Sequence, residues 1–214
     1  VRPAYDPQLR ALGAAASGEQ PVVFEANEVR EILRALDLAT ELALGTVVIA
    51  GGLEAAELAE DLRERGVAVA VSLDYPTRPE TLAPGTYEPS RAVRQRENAP
   101  AIAAALATAG VRFAFQSDGL DDPEAFLENA SRAVSAGLPP DAAVRALTID
   151  AARIAGAENR VGSIEPGKIA NVVVTRGGLF DEEREIAYVF IDGRPVTLED
   201  DEEDGSQETG GNRI

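Results

Sequence analysis

Histidine, cysteine, methionine and tryptophan are all missing from this 214-residue chain, and lysine occurs once, at Lys168. Without His or Cys the usual zinc ligand sets cannot form from these residues alone. Ser–His–Asp and Cys–His catalytic arrangements are excluded on the same ground. No disulfide can form, which by itself does not identify a compartment. A catalytic lysine is nearly ruled out. No apolar run reaches the ~18 residues a membrane span needs. The sequence starts at Val1 rather than Met and shows no signal peptide, so it reads as a processed or excised piece of something longer.

What is present is acidic. Asp and Glu number 37 against 20 Lys and Arg, a net charge of −17. Such a surface disfavours nucleic acid and anionic membranes, which reward positive patches. A hydrophobic fraction of 45% is enough for a real core. The length suits one domain with an appendage.

The chain order is strand–helix, repeated. Residues 6–18 suit a helix, with Asp6 as cap and Gly18 as stop. Strands are expected at 21–25, 46–50, 67–73 and 111–115, with helices over 28–43 (capped by Asn27), 53–65, 91–109, 123–136 and 142–155. The first three strands are uniformly apolar, as in parallel strands covered on both faces. Residues 75–90 form a long Pro-rich connection, the likeliest moving loop, with Tyr75 and Tyr87 in it. After Gly156 the texture changes. Segments 162–164, 171–175 and 186–191, with a turn at Asp192–Gly193, read as a small antiparallel appendage. The acidic run 199–204 and the polar residues after it cannot bury enough apolar surface to order themselves. The expected organisation is therefore 1–156, 157–198 and a disordered tail 199–214. Four consecutive strand–helix units predict an α/β fold with a parallel sheet and right-handed crossovers. A closed barrel needs eight such units and usually ~250 residues, so four make half a barrel or an open sheet.

Chemistry in parallel α/β proteins sits at the carboxyl ends of strands. The strand VRFAFQ, residues 111–116, is followed by Ser117, Asp118 and Gly119. Asp118 is either a turn or capping acid or a metal- and proton-handling group. Asp122, before Pro123 and beside Asp121, reads as an N-cap. Glu25, at the end of the first strand, is either paired with an arginine or part of a carboxylate pair with Asp118. Gly51–Gly52 suits close helix–strand packing, with an anion-binding nest as the alternative. Lys168 and Asn171 read as turn residues.

The stretch ALTIDAARIAGAENRVGSIEPGKIANVVV, residues 146–174, resembles the segment that closes the barrel and enters the small β domain of imidazolonepropionase-like members of the metal-dependent amidohydrolase superfamily. VVIAGGLEAAELAEDLRERGVAVAV, LATAGVRFAFQSDG and IDGRPV are similar to further pieces of the same pattern, in the same order. The resemblance implies the C-terminal half of a TIM (β/α)8 barrel plus part of its β appendage, strands five to eight, without the half that carries the His-x-His strand. It implies hydrolysis of C–N bonds by a metal-activated water. It places Asp118 at the strand-eight acid that binds metal and moves the proton, Glu25 at the strand-five ligand, and Ala50–Gly51, which offer no side-chain ligand, at strand six. The expected catalytic and metal residues are thus Asp118 and Glu25. No cofactor is expected from this chain alone, and a divalent metal only if another chain completes the site. Oxygen-only ligands would suit Mg²⁺ or Ca²⁺ better than zinc.

The leading expectation is a degenerate amidohydrolase-like subunit, a non-catalytic binding or structural component of a larger complex. The alternative is one half of a metal-dependent amidohydrolase whose histidines come from a separate N-terminal half. Both imply a protein partner completing the barrel. The resemblance also leans the expected location towards the periplasm or cell exterior, with the cytoplasm as the alternative.

Overall fold

A computed structural model describes residues 10, 12–83, 85–120 and 122–197. The start of the 6–18 helix, Asp121 and the acidic tail lie outside the described residues. Within that first helix the described part is α1, Gly13–Ala16.

The expected strands form. β1 (Val22–Ala26), β2 (Val47–Gly51), β3 (Ala68–Ser72) and β4 (Phe113–Gln116) make one parallel sheet in sequence order. Its register is continuous across all four strands. Phe24 pairs with Ile49, Ile49 with Val69 and Val69 with Phe113. Two residues along, the partners are Ala26, Gly51, Val71 and Phe115. Apart from Gly51, the residues of these two rows pack into the main core with the helices. Phe113 and Phe115 meet edge to face, centroids 5.9 Å apart. Each large side chain so buried contributes about 1.5–3 kcal/mol. The intervening row, Glu25–Ala50–Ala70–Ala114, points to the opposite face. The outer strands β1 and β4 have no further strand beside them among the described residues, and Val23 on β1 is 61% exposed.

The helices are α2 (Val29–Glu41), α3 (Ala59–Glu64), α4 (Ser90–Asn98), α5 (Ile102–Ala109), α6 (Glu124–Ser135), α7 (Pro140–Leu147) and α8 (Ile149–Ile154). Three expected helices are interrupted. Residues 53–65 yield a 3₁₀ turn at Ala55–Leu58 before α3. The 91–109 stretch breaks into α4 and α5 around a 3₁₀ turn containing Pro100, whose ring removes an N–H donor. The 142–155 stretch breaks at Thr148 (φ −129, ψ −98), whose hydroxyl donates to the Val144 carbonyl at 2.6 Å. Asn27 does not cap α2. Glu28 is the cap residue, and the Glu31 carboxylate accepts both the Asn27 and Glu28 N–H groups, at 2.9 and 3.0 Å.

The appendage is a second sheet, β5 (Val172–Arg176), β6 (Glu185–Ile191) and β7 (Arg194–Val196), antiparallel in that order. Residues 162–164, expected as a strand, form none, and Gly162 instead packs closely against Ile149 and Ala152. The β6–β7 turn places Asp192 and Gly193 at positive φ, as a tight hairpin requires. Asn171 is structural, as expected: its side-chain oxygen accepts the Asp192 N–H at 2.9 Å. Lys168 likewise closes a turn on Ser163 and Glu165.

Gly51–Gly52 serves close packing. Both residues have positive φ. The Gly52 N–H donates to the Ala26 carbonyl at 2.9 Å and is not free for an anion. A Cβ on Gly51 would overlap the Asn27 side-chain oxygen, and one on Gly52 would lie 2.9 Å from Val69 Cγ1. Replacing Gly51 with Ala is expected to cost roughly 2 kcal/mol or more, measured by urea unfolding; a loss below about 0.5 kcal/mol would show that the turn is not tightly determined.

Candidate active site

The carboxyl ends of the four strands open on one rim. Four connections meet there, and their residues determine what it can do.

At the end of β4, Leu120 N–H donates to the Ser117 carbonyl at 3.1 Å and closes a turn around Asp118–Gly119. Gly119 has φ +88, and a Cβ there would sit 2.5 Å from the Asp74 carboxylate, so the turn requires glycine. The Ser72 hydroxyl donates to the Asp118 carbonyl at 3.5 Å and accepts the Asp74 N–H at 3.1 Å, tying the ends of β3 and β4 together. The Asp118 carboxylate itself is exposed and makes no hydrogen bond or ion pair among the described residues. The capping work falls to Asp122, whose Oδ1 accepts the Glu124 N–H at 2.9 Å.

Glu25 is exposed on β1, on the face away from the core, and no arginine pairs with it among the described residues. Its row runs through Ala50 and Ala70 to Ala114, four residues short of Asp118. The two acids are three strand spacings apart, roughly 14 Å along the sheet. Glu25 lies within β1, one residue before its end, and Asp118 lies two residues past the end of β4, so the two acids are not neighbours. Metal–oxygen bonds of roughly 2.0–2.6 Å require ligands that converge. No group of three or more His, Cys, Asp or Glu among the described residues does so. The two carboxylates alone do not fit a metal ion, and Ala50–Gly51 add nothing to them.

The sequence reading missed the most heavily bonded acid on this rim. Glu54 follows β2, and its side chain is 10% exposed. Arg91 of α4 grips it with two bonds, Nε to Oε1 at 2.7 Å and Nη2 to Oε2 at 2.6 Å. Gln95 donates to Oε1 at 2.9 Å, and the Val29 N–H, opening α2, donates to Oε2 at 2.9 Å. Arg91 also reaches Glu28 at 2.9 Å. The Arg91 guanidinium holds the Glu54 carboxyl down at about 2, against the opposing pull of burial. Arg91 is raised in turn.

The 75–89 connection is anchored rather than free. Tyr75 is buried, its hydroxyl donates to the Asn129 carbonyl at 3.1 Å, and Arg132 lies over its ring at 5.0 Å. Burial pushes its phenol up to about 12. Glu88 is held between Arg78 and Arg96, and Arg78 also donates to the Ala83 and Thr86 carbonyls. Tyr87 projects from this frame, 81% exposed.

Residues 21–196 match the family model described as the amidohydrolase family. The chain belongs to the amidohydrolase family. An amidohydrolase from Thermotoga maritima shares 27% identity with it and a TM-score of 0.73, over 93% of this chain and 49% of the other. A prolidase complexed with N-methylphosphonate-L-proline has 23% identity and a TM-score of 0.65, over 88% and 48%. A zinc-bound adenosine deaminase from Xanthomonas campestris has 23% identity and a TM-score of 0.56, over 87% and 47%. The chain spans about half the length of these structures. No curated protein matches it. The fold is thus amidohydrolase-like, half of a TIM barrel with a small β sheet appended. No helix among the described residues is long and apolar enough to cross a membrane.

Glu54 sets a pH dependence. Its folded pKa lies below the ordinary value of 4.5, so its stabilisation is complete above pH 4.5 and is lost as the pH falls towards 2. Glu54→Gln is expected to lose about 1–3 kcal/mol at pH 7 and to flatten the acid side of the stability–pH curve. A variant whose acid limb matches that of the parent would contradict this assignment.

Proposed function

We propose that this chain is the C-terminal half-barrel of a metal-dependent hydrolase of C–N bonds, inactive alone, and that Asp118 is its catalytic contribution. The observation that supports this is the freedom of the Asp118 carboxylate. It stands at a strand end, on a backbone fixed by Ser72 and Gly119, while Asp122 caps the following helix. In the proposed reaction, an Asp118 oxygen takes a proton from the attacking water as its oxygen bonds to the carbonyl carbon. It then gives that proton to the nitrogen as the C–N bond breaks. Glu25, on the same rim, is a second oxygen donor or proton acceptor. The histidines that family chemistry requires come from residues outside this sequence.

Two features support a completing polypeptide. Among the described residues the sheet has two unpaired outer strands, which stable proteins pair or cover. The appended sheet is apolar on both faces: Val174 and Tyr188 are exposed on one, Val173, Ile191 and Val196 on the other. Such a sheet suits a middle layer.

A second reading, a non-catalytic subunit, is favoured by one observation: the zero histidine count together with Ala50–Gly51 at the end of β2. Metal content and hydrolysis by the completed assembly decide between the two. Xaa-Pro dipeptides are the first probe, because a prolidase is among the structural relatives; cyclic amides are the second. The enzymatic reading predicts bound metal, and a loss of roughly 100-fold or more in kcat for Asp118→Asn. Unchanged hydrolysis in that variant would remove Asp118 from catalysis. An assembly with neither metal nor hydrolysis would establish the non-catalytic reading.

A further inference from the structure

We infer that the folded state of this chain is built for high salt, with an atmosphere of monovalent cations as a condition of its stability. The first observation is the unbalanced charge. Acidic residues exceed basic ones by 17, so internal pairing cannot neutralise the surface however the side chains are arranged. The second is where part of the excess sits. Glu57, Glu60, Asp61 and Glu64 line one surface groove at three- and four-residue spacing, and Asp181, Glu182, Glu183 and Glu185 line another. Glu60 and Glu64, four residues apart on α3, are like charges that repel. Within these groups Asp61 pairs with Arg65, Glu64 with Arg63 and Glu185 with Arg176. Glu57, Glu60, Glu182 and Glu183 have no ion-pair partner among the described residues.

The third observation is the core. Alanine is the commonest residue of the buried apolar set. An alanine buries less apolar area than a leucine or valine and contributes correspondingly less. A modest core opposed by strong self-repulsion leaves little margin at low ionic strength. Screening relieves that repulsion: the Debye length falls from about 10 Å at 0.1 M to about 3 Å at 1 M, below the ~5–6 Å between helix neighbours.

The test is thermal unfolding of the full 214-residue chain by circular dichroism in KCl, alongside a Glu57→Gln/Glu60→Gln/Glu182→Gln/Glu183→Gln variant. Tm is expected to rise by roughly 10 °C or more from 0.1 to 1 M KCl and then to flatten. The variant, which removes four of the excess charges, is expected to start higher and to lose roughly a quarter of that rise. A Tm constant within about 2 °C across this range would overturn the inference. So would an equal rise in parent and variant, which would assign the effect to general salting-out rather than charge screening.

Discussion

The rim of this half-barrel depends on one carboxylate. Glu54 receives a backbone N–H from the start of α2, a bidentate guanidinium from α4 and an amide from the same helix. It therefore ties the connections after β1, β2 and β3 into one unit. A parallel sheet fixes its strands through the ladder, but each connection leaves the strand end independently. The first two are joined by backbone bonds, Gly52 N–H to Ala26 and Glu54 N–H to Asn27. The third is reached by side chains alone, and a charge-assisted fork is the strongest bond available for that. Glu88, between Arg78 and Arg96, repeats the arrangement inside the third connection.

Against this bonded background Asp118 and Glu25 are exposed and, like several acids elsewhere on the surface, have no hydrogen-bond or ion-pair partner among the described residues. Asp118 has a backbone held by Ser72 and Gly119 and an exposed carboxylate with no hydrogen bond or ion pair among the described residues. The incompleteness is equally physical. Among the described residues no third His, Cys, Asp or Glu joins these two carboxylates in a metal-holding group, and β2, one of the two strands between them, ends in Ala50 and Gly51. The chain spans about half the length of its structural relatives, and β1 and β4 have no further strand beside them among the described residues.

Much of this was legible in the sequence where the signal is local. Apolar runs bounded by glycines gave all four strands to within two residues. The Asp–Gly after VRFAFQ marked the rim acid, and Asp122 before Pro123 marked the cap. The misses have long-range or competing causes. Asn27 is a good cap residue by type, yet its side chain is taken up against Gly51, and Glu28 and Glu31 close the helix end instead. Pro100 lies within an alanine-rich run whose helical character concealed the break. The Glu54–Arg91 pair spans 37 positions, and nothing in the local pattern of either residue points to the other.

The central claim is that this chain is half of a working barrel. The most direct measurement is the native mass of the species that carries it, by light scattering on material purified under native conditions in molar KCl. The account predicts a species well above the 22.5 kDa of this chain, because a second half pairs with β1 and β4. A stable, monodisperse particle of 22.5 kDa would contradict it.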